Sequence, residues 1–261
     1  MKVVLLCGGQ GTRIGEVTQG VLPKPLVPVA GRPIVWHIMD GFARQGHNDF
    51  IVCAGHLGDK IKEFFFNYRM HNADIRVNTA TGDVELLDSG TGQDWSVLVS
   101  DTGAETMTAG RIARIAKYLD GDDPFFLTYG DGVSDVDLSA LLAFHRSHGK
   151  LATLTGVVPP GRFGEMHLDG DQITRLMEKP DQTDRYINGG FMVLERAFVE
   201  RYCAGPDADQ VMLERAPLET AATDGELMMY RHHGFWQCMD TMRDWELLNR
   251  LATQDKVPWA C

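Results

Sequence analysis

Gly8, Gly9 and Gly11 follow an apolar run near the start of the chain, and Thr12, Arg13 and then Lys24 come after them. Glycines let a ligand approach the backbone closely and leave N–H groups facing it. Arg13 adds a planar fork of donors and Lys24 a compact point charge. The combination suits a ligand carrying several phosphate groups, although a plain strand-to-loop turn with two surface cations would hold the same residues. Two common phosphate loops are absent. A dinucleotide fingerprint needs a glycine where Ile14 stands, and the ribose-binding acid expected about 20 residues on is missing from "VPVAGRPIVW". This argues against a dehydrogenase. A P-loop needs Gly-Lys-Ser/Thr, and this glycine run closes on Gly-Thr-Arg.

Two aspartates offer a second kind of chemistry. Asp131 sits between Gly130 and Gly132 at the end of "FFLTYGDG", and Asp240 ends "FWQCMD". Separated carboxylates converging on one ion suit Mg²⁺, a hard cation that takes the rest of its octahedron from water and phosphate oxygens. The competing structural roles are a turn at Asp131 and an N-cap for a helix starting at Thr241. His145, His148, His232 and His233 lack the spacing of a transition-metal site and read as solvated or hydrogen-bonded.

These residues need a scaffold that brings loop ends together. Val3–Leu6 is a continuous apolar run, the signature of a strand buried on both faces. A helix from Pro33 closes at Gly46, "DFIVCAG" gives a second buried strand, and "DKIKEFFFNY" a second helix. That β-α-β-α opening implies a parallel sheet. The segment from Asp74 to Asp101 reads as strand, excursion, strand. A helix over Thr108–Leu119, the strand "FFLTYGDG", a helix over Asp137–His148 and the strand "LATLTGVV" continue the alternation. "GEMHLDGDQITRLMEKP" reads as a hairpin turning at Asp169-Gly170, "INGGFMVLE" as one strand, "GELMMYRHHGFWQCMD" as a late strand or strand pair, and Thr241–Thr253 as a closing helix. The expected fold is α/β: a Rossmann-like α/β/α sandwich with a mixed, mostly parallel central sheet. It forms one domain over 1–261, with a small β excursion at about 69–96 and C-terminal additions. Ligands of such sheets bind at the carboxyl ends of the strands, where the glycine loop and Asp131 must both lie.

The chain has 261 residues and a net charge of −11, which argues against bulk binding to nucleic acid or an anionic membrane. Five cysteines without a C-x-x-C point to free thiols and a reducing, cytoplasmic compartment. No charged leader with a long apolar run opens the sequence, so no signal peptide is expected. No apolar run reaches the ~20 residues that span a bilayer.

"GGQGTR" followed by "PKP" is the pattern of sugar nucleotidyltransferases, and the sequence resembles that superfamily nearly end to end. "GRPIVWHIM", "DTGAETMTAGRI", "FLTYGDGVSDVD", "PPGRFGEM", "EKP", "INGGFMVL", "GFWQCMDTMRD" and the terminal "PWAC" resemble its glucose-1-phosphate cytidylyltransferase branch. Two positions depart from the branch: Leu22 where a lysine is usual, and Ala109 where a second glycine is usual. The resemblance implies synthesis of CDP-glucose and pyrophosphate from CTP and α-D-glucose 1-phosphate, with Mg²⁺ as cofactor and a homo-oligomeric enzyme. Related alternatives are another nucleoside triphosphate, another phosphorylated acceptor, or a non-catalytic nucleotide-sugar binding protein.

The resemblance also assigns roles. Leu6, Gly8, Gly9, Gly11, Thr12, Arg13, Lys24, Thr106, Arg111 and Gly130 fall on the nucleotide side, with Arg13 and Lys24 catalytic. Gly164, Glu178, Lys179, Asn188, Gly189 and Trp236 fall on the sugar-phosphate side, and Asp131 and Asp240 on the metal. The excursion at about 69–96 is the expected contact between subunits.

Overall fold

Val3–Cys7 (β1) lies inside an eight-stranded sheet with parallel neighbours on both sides, Asp49–Ala54 (β2) and Phe125–Tyr129. All five of its residues are buried, which is why the run shows no alternation. Val3, Leu5 and Cys7 enter one core, and Val4 and Leu6 the other. The helix Ile34–Arg44 (α1) packs Ile34, Ile38 and Phe42 into the first core. The helix Thr108–Ile115 (α2) packs Ala109, Ile112 and Ile115 into the second. Helices therefore cover both faces of a central sheet, as expected. The structure, a computed structural model, describes residues 1–88, 93–119, 121, 123–159, 165–169, 172–177 and 185–260.

Beyond β2 the sheet ends at Ser96–Asp101 (β3), again parallel. On the other side, Phe125–Tyr129 (β4) pairs with the antiparallel Met192–Leu194. Ala152–Val157 (β5) comes next, and Leu227–His232 runs parallel along its far edge. The sheet is thus mixed and mostly parallel.

One departure from the expected elements, and one of the two readings left open for the late stretch, shape the functional face. "INGGFMVLE" is not one strand. Gly190 (φ +74°) and Phe191 (φ 43°) adopt the left-handed region and split it into Ile187–Asn188 (β6) and Met192–Leu194 (β7), both pairing with β5. Thr155 donates to the Phe191 carbonyl at 2.6 Å and Thr128 accepts from the Phe191 N–H at 3.2 Å, so side chains satisfy backbone groups left out of the ladder. The late stretch is a strand pair whose members part company: Leu227–His232 (β8) joins the main sheet, whereas Trp236–Cys238 (β9) pairs antiparallel with Gly132–Ser134.

The excursion is a two-stranded hairpin, Asp74–Val77 with Val84–Asp88, standing off the main sheet. Glu165–Asp169 and Gln172–Met177 pair as the expected second hairpin; its turn at Gly170 lies outside the described residues. Between Glu195 and Glu226 runs a helix not anticipated from the sequence, Ala216–Thr223, too short for its periodicity to stand out. Met242–Ala252 closes the fold as a helix.

Candidate active site

Two cavities open at the carboxyl ends of the strands. The first, about 520 Å³, is lined by the glycine loop Gly8–Arg13 with Lys24, Thr106 and Arg111. The second, about 380 Å³, is lined by Asn188, Gly189, Trp236 and Asp240. Arg13, Tyr129 and Asp131 line both. Leu6, Thr12 and Gly130 also border the first cavity, so every expected nucleotide-side residue gathers there. Gly164, Glu178 and Lys179 lie outside the described residues.

The glycine loop turns because Gly11 takes φ +62°, just ahead of a short 3₁₀ turn over Thr12–Ile14. A Cβ at Gly11 would come within 3.0 Å of the Lys24 Cβ, so this glycine serves both the turn and the close approach of Lys24. Gly130 is equally confined, since a Cβ there would meet the Cys7 sulfur at 2.5 Å.

Lys24 joins the two aspartates. Its ammonium donates to Asp131 Oδ2 at 2.5 Å and to Asp240 Oδ1 at 2.7 Å. Arg13 Nη1 donates to the other Asp240 oxygen at 2.9 Å. Burial alone would lower the Lys24 pKa, but the two carboxylates outweigh it and raise the pKa above its ordinary value. Burial would raise the Asp240 pKa, yet Lys24 and Arg13 hold it below the ordinary carboxylate range.

The strand pair explains how residues 109 apart in sequence converge. Cys238 pairs with Gly132, and the Met239 N–H donates to the Asp131 carbonyl at 2.8 Å. Asp240 is not the cap of the final helix. Thr241 is, in a capping box with Asp244, and this leaves the Asp240 carboxylate to Lys24 and Arg13.

This pair fits a magnesium ion. Two carboxylate oxygens aim at one point and lie no further apart than their two bonds to Lys24 allow. Among the described residues no cluster of three or more His, Cys, Asp or Glu side chains forms a metal site. A cation held by Asp131 and Asp240 alone would take its other ligands from water and phosphate, which is the habit of Mg²⁺. It would also compete with the Lys24 ammonium for the same oxygens. His145 and His148 are structural: His145 bonds Thr153 and Glu195, and His148 bonds Thr153 and the Lys150 N–H.

Arg111 borders the first cavity, but its guanidinium is spent on the protein. Nη1 reaches the Ala54 and Gly103 carbonyls and Thr102 Oγ1, and Nη2 reaches the Gly8 and Ala104 carbonyls. It lies between two glycines: a Cβ at Gly8 would fall 2.1 Å from Nη1, and one at Gly55 2.2 Å. Arg111 therefore shapes the cavity wall through the carbonyls it holds. Trp236 stands at the second cavity, its indole N–H donating to the Gly189 carbonyl at 2.7 Å. Tyr129, shared by both cavities, was missed in the sequence. Its one signal is position, an aromatic at the carboxyl end of β4 immediately before Gly130-Asp131. Burial and the Glu214 carboxylate push its phenol well above the ordinary value, so its O–H stays a donor.

The glycine loop and the carboxylate pair thus line two adjoining cavities at the carboxyl ends of a doubly covered sheet. Residues 2–237 match the family model for nucleotidyl transferase, and the chain belongs to that family. More particularly, it is 44% identical over 259 residues to the glucose-1-phosphate cytidylyltransferase of Salmonella typhi, covering 99% of this chain and 98% of that one. The glucose-1-phosphate cytidylyltransferase of Salmonella typhimurium matches equally, at 44% over 259 residues. The crystal structure of HddC from Yersinia pseudotuberculosis shares the fold, with a TM-score of 0.69 at 21% identity over 95% of this chain and 98% of that one.

Proposed function

We propose that the protein makes CDP-glucose and pyrophosphate from CTP and α-D-glucose 1-phosphate. The observation that carries this reading is the Lys24 ammonium bridging Asp131 and Asp240 where the two cavities meet. The full-length match to glucose-1-phosphate cytidylyltransferases supports the choice of substrates. The first cavity takes CTP, with its phosphates along the glycine loop and Arg13. The second takes the sugar phosphate, its hydroxyls facing Asn188, the Gly189 backbone and Trp236, with Glu178 and Lys179 completing that side.

A phosphate oxygen of glucose 1-phosphate, ionised at neutral pH, bonds to the α-phosphorus of CTP. The bond from that phosphorus to the bridging oxygen breaks, and pyrophosphate leaves with the electron pair. No general base is needed and the sugar C1–O bond stays intact. The chemistry reduces to bringing two anions together and stabilising the charge that develops between them. Mg²⁺, when bound by Asp131 and Asp240, supplies that neutralisation at the phosphate oxygens. Arg13 orients the triphosphate and its leaving group. Lys24, released from one carboxylate, meets the reacting phosphate.

The protein works as one domain, and the free, buried Cys7, Cys53 and Cys203 favour a reducing cytoplasm. No described helix is long and apolar enough to cross a membrane. It assembles as a homo-oligomer through the 74–88 hairpin. That ribbon pairs Ile75 with Leu86 and Val77 with Val84, and all four side chains are exposed. An isolated two-stranded ribbon is marginal in water, so a second copy covering this apolar face stabilises it.

The test supplies CTP, dTTP, UTP, GTP and ATP in turn with a panel of sugar 1-phosphates and Mg²⁺, and detects pyrophosphate. Turnover confined to CTP with glucose 1-phosphate supports the reading. A different preferred pair, or tight binding without turnover, overturns it.

A further inference from the structure

One hydrogen-bonded chain runs from the wall of the first cavity to the sugar side of the second. Thr108, at the start of α2, accepts from the Leu213 N–H at 2.6 Å and donates to Glu214 Oε2 at 3.0 Å. Tyr129 donates its hydroxyl hydrogen to Glu214 Oε1 at 2.6 Å. The Tyr129 oxygen accepts from Asn188 Nδ2 at 3.2 Å, and Asn188 Oδ1 accepts from the Gly190 N–H at 2.8 Å.

The direction of every bond in this chain is forced from both ends. A backbone N–H can only donate, so the Asn188 atom facing Gly190 is its oxygen. An ionised carboxylate can only accept, so the Tyr129 hydroxyl spends its one hydrogen on Glu214. The phenol oxygen is then an acceptor, and Asn188 must offer it an amide hydrogen. One N–H of the amide remains, on a side chain that lines the second cavity. The left-handed backbone at Gly190 and Phe191 sets the Gly190 N–H where it can hold the amide. The Tyr129 ring lies so near Gly190 that a Cβ there would meet it at 3.2 Å.

We infer that Glu214 and Tyr129 are positioning residues that fix which end of the Asn188 amide meets the sugar, and so set the donor–acceptor pattern a sugar hydroxyl must match. The inference rests on the reading of the second cavity as the sugar site. Glu214 stands two residues after Met212 and accepts from Thr108, both of which line the first cavity. The discrimination of the acceptor sugar is thus built partly from the nucleotide side of the molecule.

Glu214→Gln tests this with little change in shape. The amide can donate where the carboxylate could only accept, so the Tyr129 hydroxyl is no longer committed to residue 214 and the Asn188 amide is held from the Gly190 end alone. Tyr129→Phe removes the hydroxyl and keeps the ring against Gly190, and serves should Glu214→Gln fail to fold. Wild-type turnover of CTP with glucose 1-phosphate is measured first, and its absence would remove the underlying reading, a separate result. Given that turnover, each variant is expected to raise the KM for glucose 1-phosphate about tenfold, the scale of one misdirected hydrogen bond, with the KM for CTP within about twofold. In an Asn188→Ala background, Glu214→Gln should leave the KM for glucose 1-phosphate unchanged, because the side chain it acts through is gone. Equal rises in both KM values, the same fold-change in both backgrounds, or no change in the single variants would overturn the inference.

Discussion

Arg111 Nη2 donates to the carbonyl oxygen of Gly8 at 3.0 Å, tying α2 to the glycine loop across 103 residues of chain. The guanidinium reaches that carbonyl only because Gly8 and Gly55 have no side chains to collide with it. Gly55→Ala forces the plane aside. It is expected to cost about 1–3 kcal/mol, the range for overpacking a tight site, and to raise the KM for CTP. Urea unfolding and steady-state kinetics check this. Wild-type values in both would show that the arginine tolerates a displaced position.

Lys24 and a divalent cation want the same two carboxylates. Lys24→Met is therefore expected to tighten Mg²⁺ binding to the substrate-free protein while turnover falls by about 10²–10³, the scale of losing a preorganised charge. Titration calorimetry with Mg²⁺ alone reads the first effect. Unchanged or weaker binding would separate the lysine from the metal position.

His37 accounts for one part of the pH dependence of stability. Its Nε2 lies 2.9 Å from the Val29 carbonyl, and Nδ1 faces the Trp259 indole N–H at 3.5 Å, an arrangement that suits the neutral ring. Burial lowers its pKa below the ordinary 6.5. Above about pH 6.5 the ring is neutral in both states and its contribution is complete. Below that, the unfolded chain takes up the proton first, so stability falls as pH drops toward the lower folded value. Denaturation midpoints across this window should fall less steeply in His37→Asn. An identical slope would remove His37 from the account. Asp240, whose pKa is depressed, acts in a lower window: its contribution is present above the ordinary carboxylate value and is lost as pH falls through the folded one.

Burial pushes the Cys53 and Cys203 thiols up to about 12 and Cys238 to about 11, and raises Cys7 as well. Thiolates are the reactive species, so alkylation at pH 7.5 should label these four slowly in the folded protein and rapidly in urea. Peptide mass spectrometry resolves them. Fast native labelling of Cys53 would contradict the buried strand it occupies.

The hairpin gives a prediction for assembly. Ile75→Lys with Leu86→Lys charges the apolar face of the ribbon, where the two residues are directly opposite. Light scattering should show a smaller particle than the wild type. An unchanged mass would place the subunit contact elsewhere.

The sheet was legible where burial leaves a pattern. Val3–Cys7 and residues 50–54 are apolar on both faces because helices cover both, and Gly11 marks its turn because only glycine takes that backbone without cost. The break at Gly190-Phe191 was not legible, since a phenylalanine in the left-handed region has no sequence signal and is held there by Thr128 and Thr155 from other strands. Lys24, Asp131 and Asp240 could be named as chemistry-bearing, but their convergence depends on β9 leaving the main sheet to pair with Gly132–Ser134. Arg111 was placed on the nucleotide side, where it borders the first cavity, but the carbonyls its guanidinium holds come from three separate loops and left no pattern in the sequence. Glu214 lies in none of the motifs, and Tyr129, though inside "FLTYGDGVSDVD", shows its role only through Glu214 and Asn188.

The most direct measurement is pyrophosphate release from CTP and α-D-glucose 1-phosphate by the purified wild-type protein, Lys24→Ala and Asp131→Asn, with Mg²⁺ and with the ion chelated. Wild-type turnover that disappears on chelation, and falls by about 10²–10³ in each variant, is the predicted result. Near-native release from either variant, or none from the wild type with Mg²⁺ present, would contradict the account.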